Sequence, residues 1–372
     1  MRTILFIIQK EFTQIFRNRT MLPVIFVVPI VQLIILVNAA TMEIKNMEVA
    51  IVDKDLSSMS RKLNSKFTSS PFFKVKAFTQ SMDEAEAMVQ NDDVQLIIQI
   101  PSGFERNLVR ENKADIQILT NAIDGMLAGV SQAYIINIVA DYNNEVRADW
   151  FGIADNPQPG YFNIIPKYWY NPQLNYKIFM VPAVLVLIVT IIGMFLTALN
   201  LVREKELGTI EQINVTPIKK YQFVIGKLVP FWVIALFDMS FGLLIGKLLF
   251  NIPIAGSLTL LFLVCGVYLI MVLGLGLYLS TLVNTQQQAM FVAFFFLIVF
   301  VMMSGVFTSV QSMPEWAKIV NTINPIAYFM KLVRMILLKG SEFKHIWKDL
   351  SIMVVYGIAS LSLAVWKYKK VA

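Results

Sequence analysis

One cysteine and one histidine, Cys265 and His345, stand among 372 residues. A lone thiol excludes any disulfide within the chain, and no CxxC pair is present to hold a metal. A lone imidazole excludes a multi-histidine metal site. Charge is scarce too: 15% of the residues are Asp, Glu, Lys or Arg, against about 25% in an ordinary soluble domain. No GxxxxGK[ST] stretch occurs, so the loop that cradles nucleotide phosphates is missing, and no GxSxG, HExxH or strand-borne GxGxxG takes its place. The opening MRTILFIIQKEFTQIFRNRT has neither a long unbroken apolar run nor a small-residue cleavage site, which argues against a cleaved signal peptide. The chain shows no internal repeat and no low-complexity tract.

Apolar residues, in contrast, are abundant. They make up 56% of the chain, with 27 Phe and 19 Met, more than one soluble core can bury. Six segments are long and apolar enough to cross a bilayer: roughly 21–40, 178–201, 228–250, 257–283, 289–308 and 350–366. About 20 helical residues cross the hydrocarbon core, and only helices and closed barrels satisfy their backbone groups there. The last segment is the shortest. The net charge of +7 fits membrane orientation better than nucleic-acid binding, because the basic residues cluster at span ends. Arg2, Lys10, Arg17 and Arg19 precede the first span, against one acid, Glu11. Arg203, Lys205, Lys219, Lys220 and Lys227 follow the second, and Lys367, Lys369 and Lys370 follow the sixth. These groups share one side, which the positive-inside rule makes cytoplasmic. Lys318, Lys331, Arg334, Lys339, Lys344 and Lys348 between the last two spans run against that rule. The N-terminal Ile4, Leu5, Ile8, Phe12, Ile15 and Phe16 form a stripe expected to lie on the inner surface.

Residues 41–177, between the first two spans, differ in texture. Expected strands at 48–53, 73–78, 94–101 and 114–121 alternate with helices at 57–69, 81–90, 103–113 and 123–149, the pattern of a small α/β domain. Ser81 and Glu84 have capping-box spacing. By the charge rule this insert is extracytoplasmic. The aromatic group Tyr161, Phe162, Tyr168, Trp169 and Tyr170 suits a membrane interface.

Isolated polar residues within the spans carry the remaining chemistry. Asp238 lies deep in the third span, where an acid needs a cavity, a cation or a hydrogen-bonded packing role. Lys247 is nine residues on, about 13 Å along a helix, too far to pair with it. Gln32 and Asn38 suit interhelical hydrogen bonds, and Gly274 and Gly276 suit close helix packing. Gln286, Gln287 and Gln288 form a short inner turn, and His345 sits at an interface.

Several stretches resemble one family. The order Arg203-Glu204-Lys205-Glu206, Gly208-Thr209, Glu211, Pro217, Gly226-Lys227 and Pro230 resembles the signature of ABC-2 type permeases. WYNPQLNYKIFMVPAV (169–184) is similar to that family's approach to the second span, and LLFNIPIAGSL (248–258) to its outer turn. Residues 304–340 resemble its outer re-entrant region through Ser304, Gly305, Pro314, Asn324, Pro325, Tyr328, Arg334 and Gly340. The likeness covers essentially the whole chain and is greatest to bacterial multidrug-type exporters with a large periplasmic domain.

The resemblance implies a six-helix permease with an elbow helix at 1–20, both termini cytoplasmic, in the bacterial inner membrane. It implies a coupling segment at 203–227 that docks on a separate ATPase, and outer re-entrant helices across 305–349. ATP and Mg would bind on that ATPase, none in this chain. The other implied partners are a second permease subunit, either itself or a paralogue, membrane lipid and a periplasmic adaptor; nucleic acid is not among them. Two alternatives stand beside it: an ion-gradient transporter using Asp238, and a non-transporting receptor whose insert binds a ligand. The transported substrate is not legible.

Overall fold

The computed structural model describes residues 2–19, 21–39, 47–123, 125–151, 169–173, 175–214, 216–307 and 310–367. Tyr161, Phe162, Tyr168, Lys369 and Lys370 lie outside the described residues. The chain divides into two compact units, residues 1–41 with 167–372, and residues 42–166. Residues 169–177, expected in the insert, thus belong to the helical unit.

In the helical unit, α1 (Arg2–Arg17) precedes α2 (Met21–Ala39). α7 (Tyr176–Thr190), a π-helical turn at Ile191–Leu196 and α8 (Thr197–Glu206) run on as one 31-residue helix. A short α9 (Thr209–Asn214) follows, then α10 (Lys220–Phe250), α11 (Leu258–Leu282), α12 (Gln286–Met303), α13 (Glu315–Asn321), α14 (Pro325–Lys339) and α15 (Phe343–Lys367). Among the described residues six helices are long and apolar enough to cross a membrane. The expected spans are all present, but three run further than apolar composition alone shows. The second extends to Glu206, the third begins at Lys220, and the sixth begins at Phe343. Within these extensions Glu204, Lys227 and Asp349 pair with side chains on other helices.

α11 is the hub and packs against α15, α8, α14, α10 and the π-turn. Its glycines permit this. A Cβ on Gly276 would stand 2.4 Å from the Met194 carbonyl of the π-turn, and one on Gly274 would stand 2.5 Å from Ser360 Oγ of α15. The Asn251–Ser257 turn between α10 and α11 is tied to α14 by the Ala255 N–H, which donates to the Leu337 carbonyl at 2.9 Å.

The second unit is a four-stranded sheet in the order β2 (Phe73–Thr79), β1 (Met47–Asp53), β3 (Leu96–Ile100), β4 (Gln117–Thr120). β1 is parallel to β2 and β3, and β4 is antiparallel to β3. β1 is buried on both faces. Val49 and Ile51 pack in the core that includes α3 (Ser58–Ser69), α5 (Phe104–Glu111) and α6 (Gly125–Phe151), while Ala50 and Val52 pack under α4 (Met82–Gln90). Near-continuous apolar runs are what a sheet covered on both faces requires. Lys74 and Lys76 stand exposed on edge strand β2, which discourages pairing with another chain. Half of the expected capping box forms. Ser81 Oγ accepts from the Glu84 N–H, but the Glu84 carboxylate takes the Thr79 hydroxyl instead.

In open parallel sheets, ligands bind outside the carboxyl ends of the strands where the connections diverge. Here the chain's own Asp55 fills that place between β1 and β3, accepting from the Gly103 N–H at 2.7 Å and the Glu105 N–H at 3.0 Å.

Candidate functional site

The elbow and coupling stretches meet in a buried ion cluster. α1 lies along α10 and places Glu11, fully buried, on its inward face beside Ile15. Leu5 and Phe16, expected on one stripe with Ile15, are exposed. α8 contributes Glu204 and α10 contributes Lys227. Lys227 Nζ lies 2.7 Å from Glu11 Oε1 and 2.6 Å from Glu204 Oε1, and donates to Asn200 Oδ1 at 3.2 Å. Lys10 reaches the same pair from the half-exposed side, 2.6 Å from Glu204 and 3.0 Å from Glu11. Burial alone would pull the Lys10 ammonium down. Its hydrogen bond to Glu204 and the charges of Glu11 and Glu204 outweigh this and hold it above the usual lysine value. The four formal charges cancel, which is the condition for keeping them out of water. Among the described residues, both oxygens of Glu11 and Oε2 of Glu204 have no hydrogen-bond partner, so attraction between charges, more than hydrogen bonding, holds the cluster.

The next two residues anchor in different helices. Lys205 Nζ donates to the Ser280 carbonyl and, at 3.1 Å, to the Val283 carbonyl, at the end of α11. Glu206 accepts from the Gln286 N–H at 2.6 Å and from the Gln286 side-chain amide, at the start of α12. Three consecutive side chains thus fix the end of α8 to α1, α10, α11 and α12. Gln286, expected in a short inner turn, is one of the anchors.

Beyond this junction the chain turns sharply. Leu207 is 62% exposed, and Gly208 has φ +70°, a left-handed conformation. The Thr209 hydroxyl donates to the Glu204 carbonyl at 3.2 Å. α9 follows, with Glu211 described only in its backbone, and Pro217 sits in an exposed bend before α10. Among the expected coupling residues, then, Glu204, Lys205 and Glu206 make side-chain contacts with other helices, and Thr209 makes a local one. Arg203 lines a cavity of about 800 Å³ with Gln14, Arg17 and Arg19.

At the other end of this unit, the residues expected in the re-entrant region form local caps and turns, and two of them, Gly305 and Arg334, meet. Asn324 caps α14, accepting from the Ile326 N–H at 3.0 Å and donating to the Phe300 carbonyl at 2.7 Å. Pro325 occupies the first turn of α14, where its missing N–H leaves no gap. Pro314 stands at the N-cap of α13. Tyr328 donates to the Thr322 carbonyl at 3.1 Å, and Ser304 to the Val301 carbonyl at 2.7 Å. Gly305 (φ +86°) turns its carbonyl to Arg334 Nη1 at 2.9 Å.

Asp238 belongs to neither cluster. It is 4% exposed within α10, and its Oδ2 has no hydrogen-bond partner among the described residues. Lys247 instead reaches the Ile252 carbonyl at 3.5 Å. Trp169 and Tyr170 are exposed.

In the sequence alone, Lys10 and Glu11 counted only toward topology and Lys227 toward topology and the family-like signature, so their cluster was missed. One signal was present: Glu11 falls three residues after Ile8 and four before Ile15, an acid on an apolar helical face.

A family model described as ABC-2 family transporter protein matches residues 19–366. The chain is 30% identical over 364 residues to the probable multidrug ABC transporter permease YbhR of Escherichia coli (strain K12), covering 98% of this chain and 97% of that protein. It is 27% identical over 337 residues to the probable multidrug ABC transporter permease YbhS of the same strain, covering 89% and 87%. Over 364 residues it is 21% identical to ABC transporter G family member 20 of Dictyostelium discoideum, covering 96% of this chain and 49% of that protein.

Proposed function

This chain belongs to the ABC-2 transporter family as a membrane permease subunit, and we propose that it works as one half of an ATP-driven exporter of the multidrug type in a bacterial inner membrane. ATP and Mg bind on separate cytoplasmic ATPase subunits, and a second permease subunit completes the pathway. Both termini are cytoplasmic, the α/β insert is extracytoplasmic, and a periplasmic adaptor is a candidate partner for it.

The observation that carries this reading is the anchoring of Glu204, Lys205 and Glu206. A lever must be rigid where it joins the load and free where it is pushed. The end of α8 is fixed to four other helices, whereas Leu207 and the turn at Gly208 project from it. An ATPase surface that closes on Leu207, α9 and the bend at Pro217 would move α1, α8 and α10 together. The rim charges of such a contact set specificity and rate more than affinity. Glu204 is then a strut inside the lever, and docking falls to the exposed tip.

Co-expression with a Walker-A ATPase, reconstitution into vesicles and measurement of ATP-dependent dye efflux tests the reading. Leu207→Asp is expected to abolish ATPase copurification and efflux with the fold intact. ATPase binding and efflux undiminished in that variant would sink the assignment of the tip.

Asp238 favours a second reading, an ion-gradient transporter, because a buried carboxylate whose Oδ2 has no partner among the described residues suits cation binding. That reading requires efflux driven by a proton or sodium gradient without any ATPase, lost in Asp238→Asn.

A further inference from the structure

The end of the helical unit away from α1 holds a guanidinium with a vacant edge. Arg334 of α14 is fixed in two ways. Its guanidinium carbon stands 3.7 Å from the centroid of the Phe179 ring, and Nη1 donates to the Gly305 carbonyl at 2.9 Å. Nε and Nη2, which together form the side edge of the fork, are buried and have no hydrogen-bond partner among the described residues. The Tyr176 hydroxyl is likewise buried and without a partner, and its ring stands 5.7 Å from that of Phe179.

Arg334 lines a cavity of about 660 Å³. The other cations on its wall are engaged: Lys318 with Glu315 at 2.8 Å, Lys331 with Asp349 at 2.8 Å, and Lys339 over the Tyr170 ring at 5.9 Å. Asp349, the one carboxylate among the lining residues, is therefore taken by Lys331. The wall carries more positive than negative charge, and Arg334 has no acid beside it among the described residues.

A buried charge left unpaired is costly, whereas a guanidinium edge with two parallel N–H groups matches the oxygens of a carboxylate or phosphate. Stacking and the Gly305 carbonyl hold the fork in place before any ligand arrives, so little freedom is lost on binding. We propose that the Nε and Nη2 edge of Arg334 is an oxyanion receptor that seats a carboxylate or phosphate group within this cavity. Two sources offer that chemistry, the phosphate of an anionic lipid and a free oxyanion that reaches the cavity from water. The site follows from local geometry alone and holds whichever side of the membrane it faces.

Full-length chain in neutral detergent tests this. Phosphatidylglycerol binding is followed by native mass spectrometry and inorganic phosphate binding by thermal shift, with diacylglycerol, which lacks an oxyanion, as the comparison. Saturable binding of at least one anion is expected, and none of diacylglycerol. Binding of phosphatidylglycerol alone assigns the site to a lipid headgroup; binding of both admits free anions. Arg334→Lys keeps the charge but loses the fork, and is expected to weaken binding by about tenfold or more. Lys318→Gln, on the same wall, is expected to leave it unchanged. If Arg334→Lys does not fold, Phe179→Leu takes its place, since removing the stacking surface loosens the fork and weakens binding severalfold. The proposal is overturned if neither anion binds the unaltered chain, if diacylglycerol binds as well as phosphatidylglycerol, or if the folded variant binds like wild type.

Discussion

Lys227 Nζ and Glu204 Oε1 lie 2.6 Å apart, with 3% of each side chain exposed. The pair joins α10 to α8, and through Glu11 it also joins α10 to α1. Removing the lysine would leave two buried carboxylates facing each other with only half-exposed Lys10 between them. Lys227→Met is therefore expected to destabilise the chain by about 3–5 kcal/mol. Glu206→Gln, at an exposed site, should change stability far less. Thermal unfolding in detergent distinguishes them, and a Lys227→Met protein that melts with wild type would deny the cluster a structural role.

Gly208 links the anchored helix end to the projecting tip at φ +70°, with no atom within 4 Å of where a Cβ would stand. Space is thus no obstacle, and only backbone conformation penalises a side chain, by about 1–2 kcal/mol. ATP-dependent efflux is expected to fall in the order Gly, Asn, Ala, Val, because Asn tolerates the left-handed region better than other residues. An Ala variant as active as wild type with Asn impaired would contradict this.

Gly276 poses the opposite problem. Its Cβ would press on the backbone carbonyl of Met194 at 2.4 Å, which no side-chain movement relieves. Gly276→Ala should cost about 1–3 kcal/mol. Gly129→Ala in α6, with open space around it, should instead be neutral or stabilising by up to about 1 kcal/mol. Paired unfolding curves give the comparison directly.

Asp55 gives the insert an acid-sensitive point. Burial works against its charge, but hydrogen bonds from Ser57 and from the N–H groups of residues 103–105 outweigh this and hold the carboxyl below its ordinary value. A lowered folded value means that the stabilisation is complete above the unfolded pKa, near 4, and is lost as pH falls through the folded value. Hydrogen exchange of α5, corrected for intrinsic rates, should therefore accelerate below about pH 4 in the wild type. Asp55→Ala should already exchange faster at neutral pH, having lost about 1–2 kcal/mol of capping, and should show less added loss on acidification.

The spans were legible because hydrocarbon demands long apolar runs and tolerates little else. Their ends were not, because a charged residue continues a helix when a partner waits on another one. Arg203–Glu206 and Lys220–Lys227 read as loop by composition and prove to be helix. The insert was legible to within a few residues, since its strands are short, apolar and punctuated. The charged stretch after the second span was legible in place but not in its contacts. Glu204, Lys205 and Glu206 look like a solvated charged patch in one dimension. Only the approach of α1, α10, α11 and α12 shows that each has a partner within the chain. Glu11 carried the clearest hint, and it needed Lys227, more than two hundred residues away, to give it meaning. The unused edge of Arg334 had no signature in sequence at all, because it depends on what fails to reach the guanidinium.

The π-turn at Ile191–Leu196 also sets an angular phase. Each residue in an α-helix advances the face by about 100°, and a π-turn arises where one extra residue is accommodated without breaking the helix. Everything after Leu196 is therefore rotated by about a quarter turn from where an uninterrupted α-helix would carry it. Deleting one residue there would leave Glu204, Lys205 and Glu206 in the same order and at nearly the same height, but aimed past their partners. The junction at the far end of α8 is timed by a single surplus residue near the middle of the span, so insertions and deletions in that turn should disturb the ion cluster as strongly as changes at the junction itself.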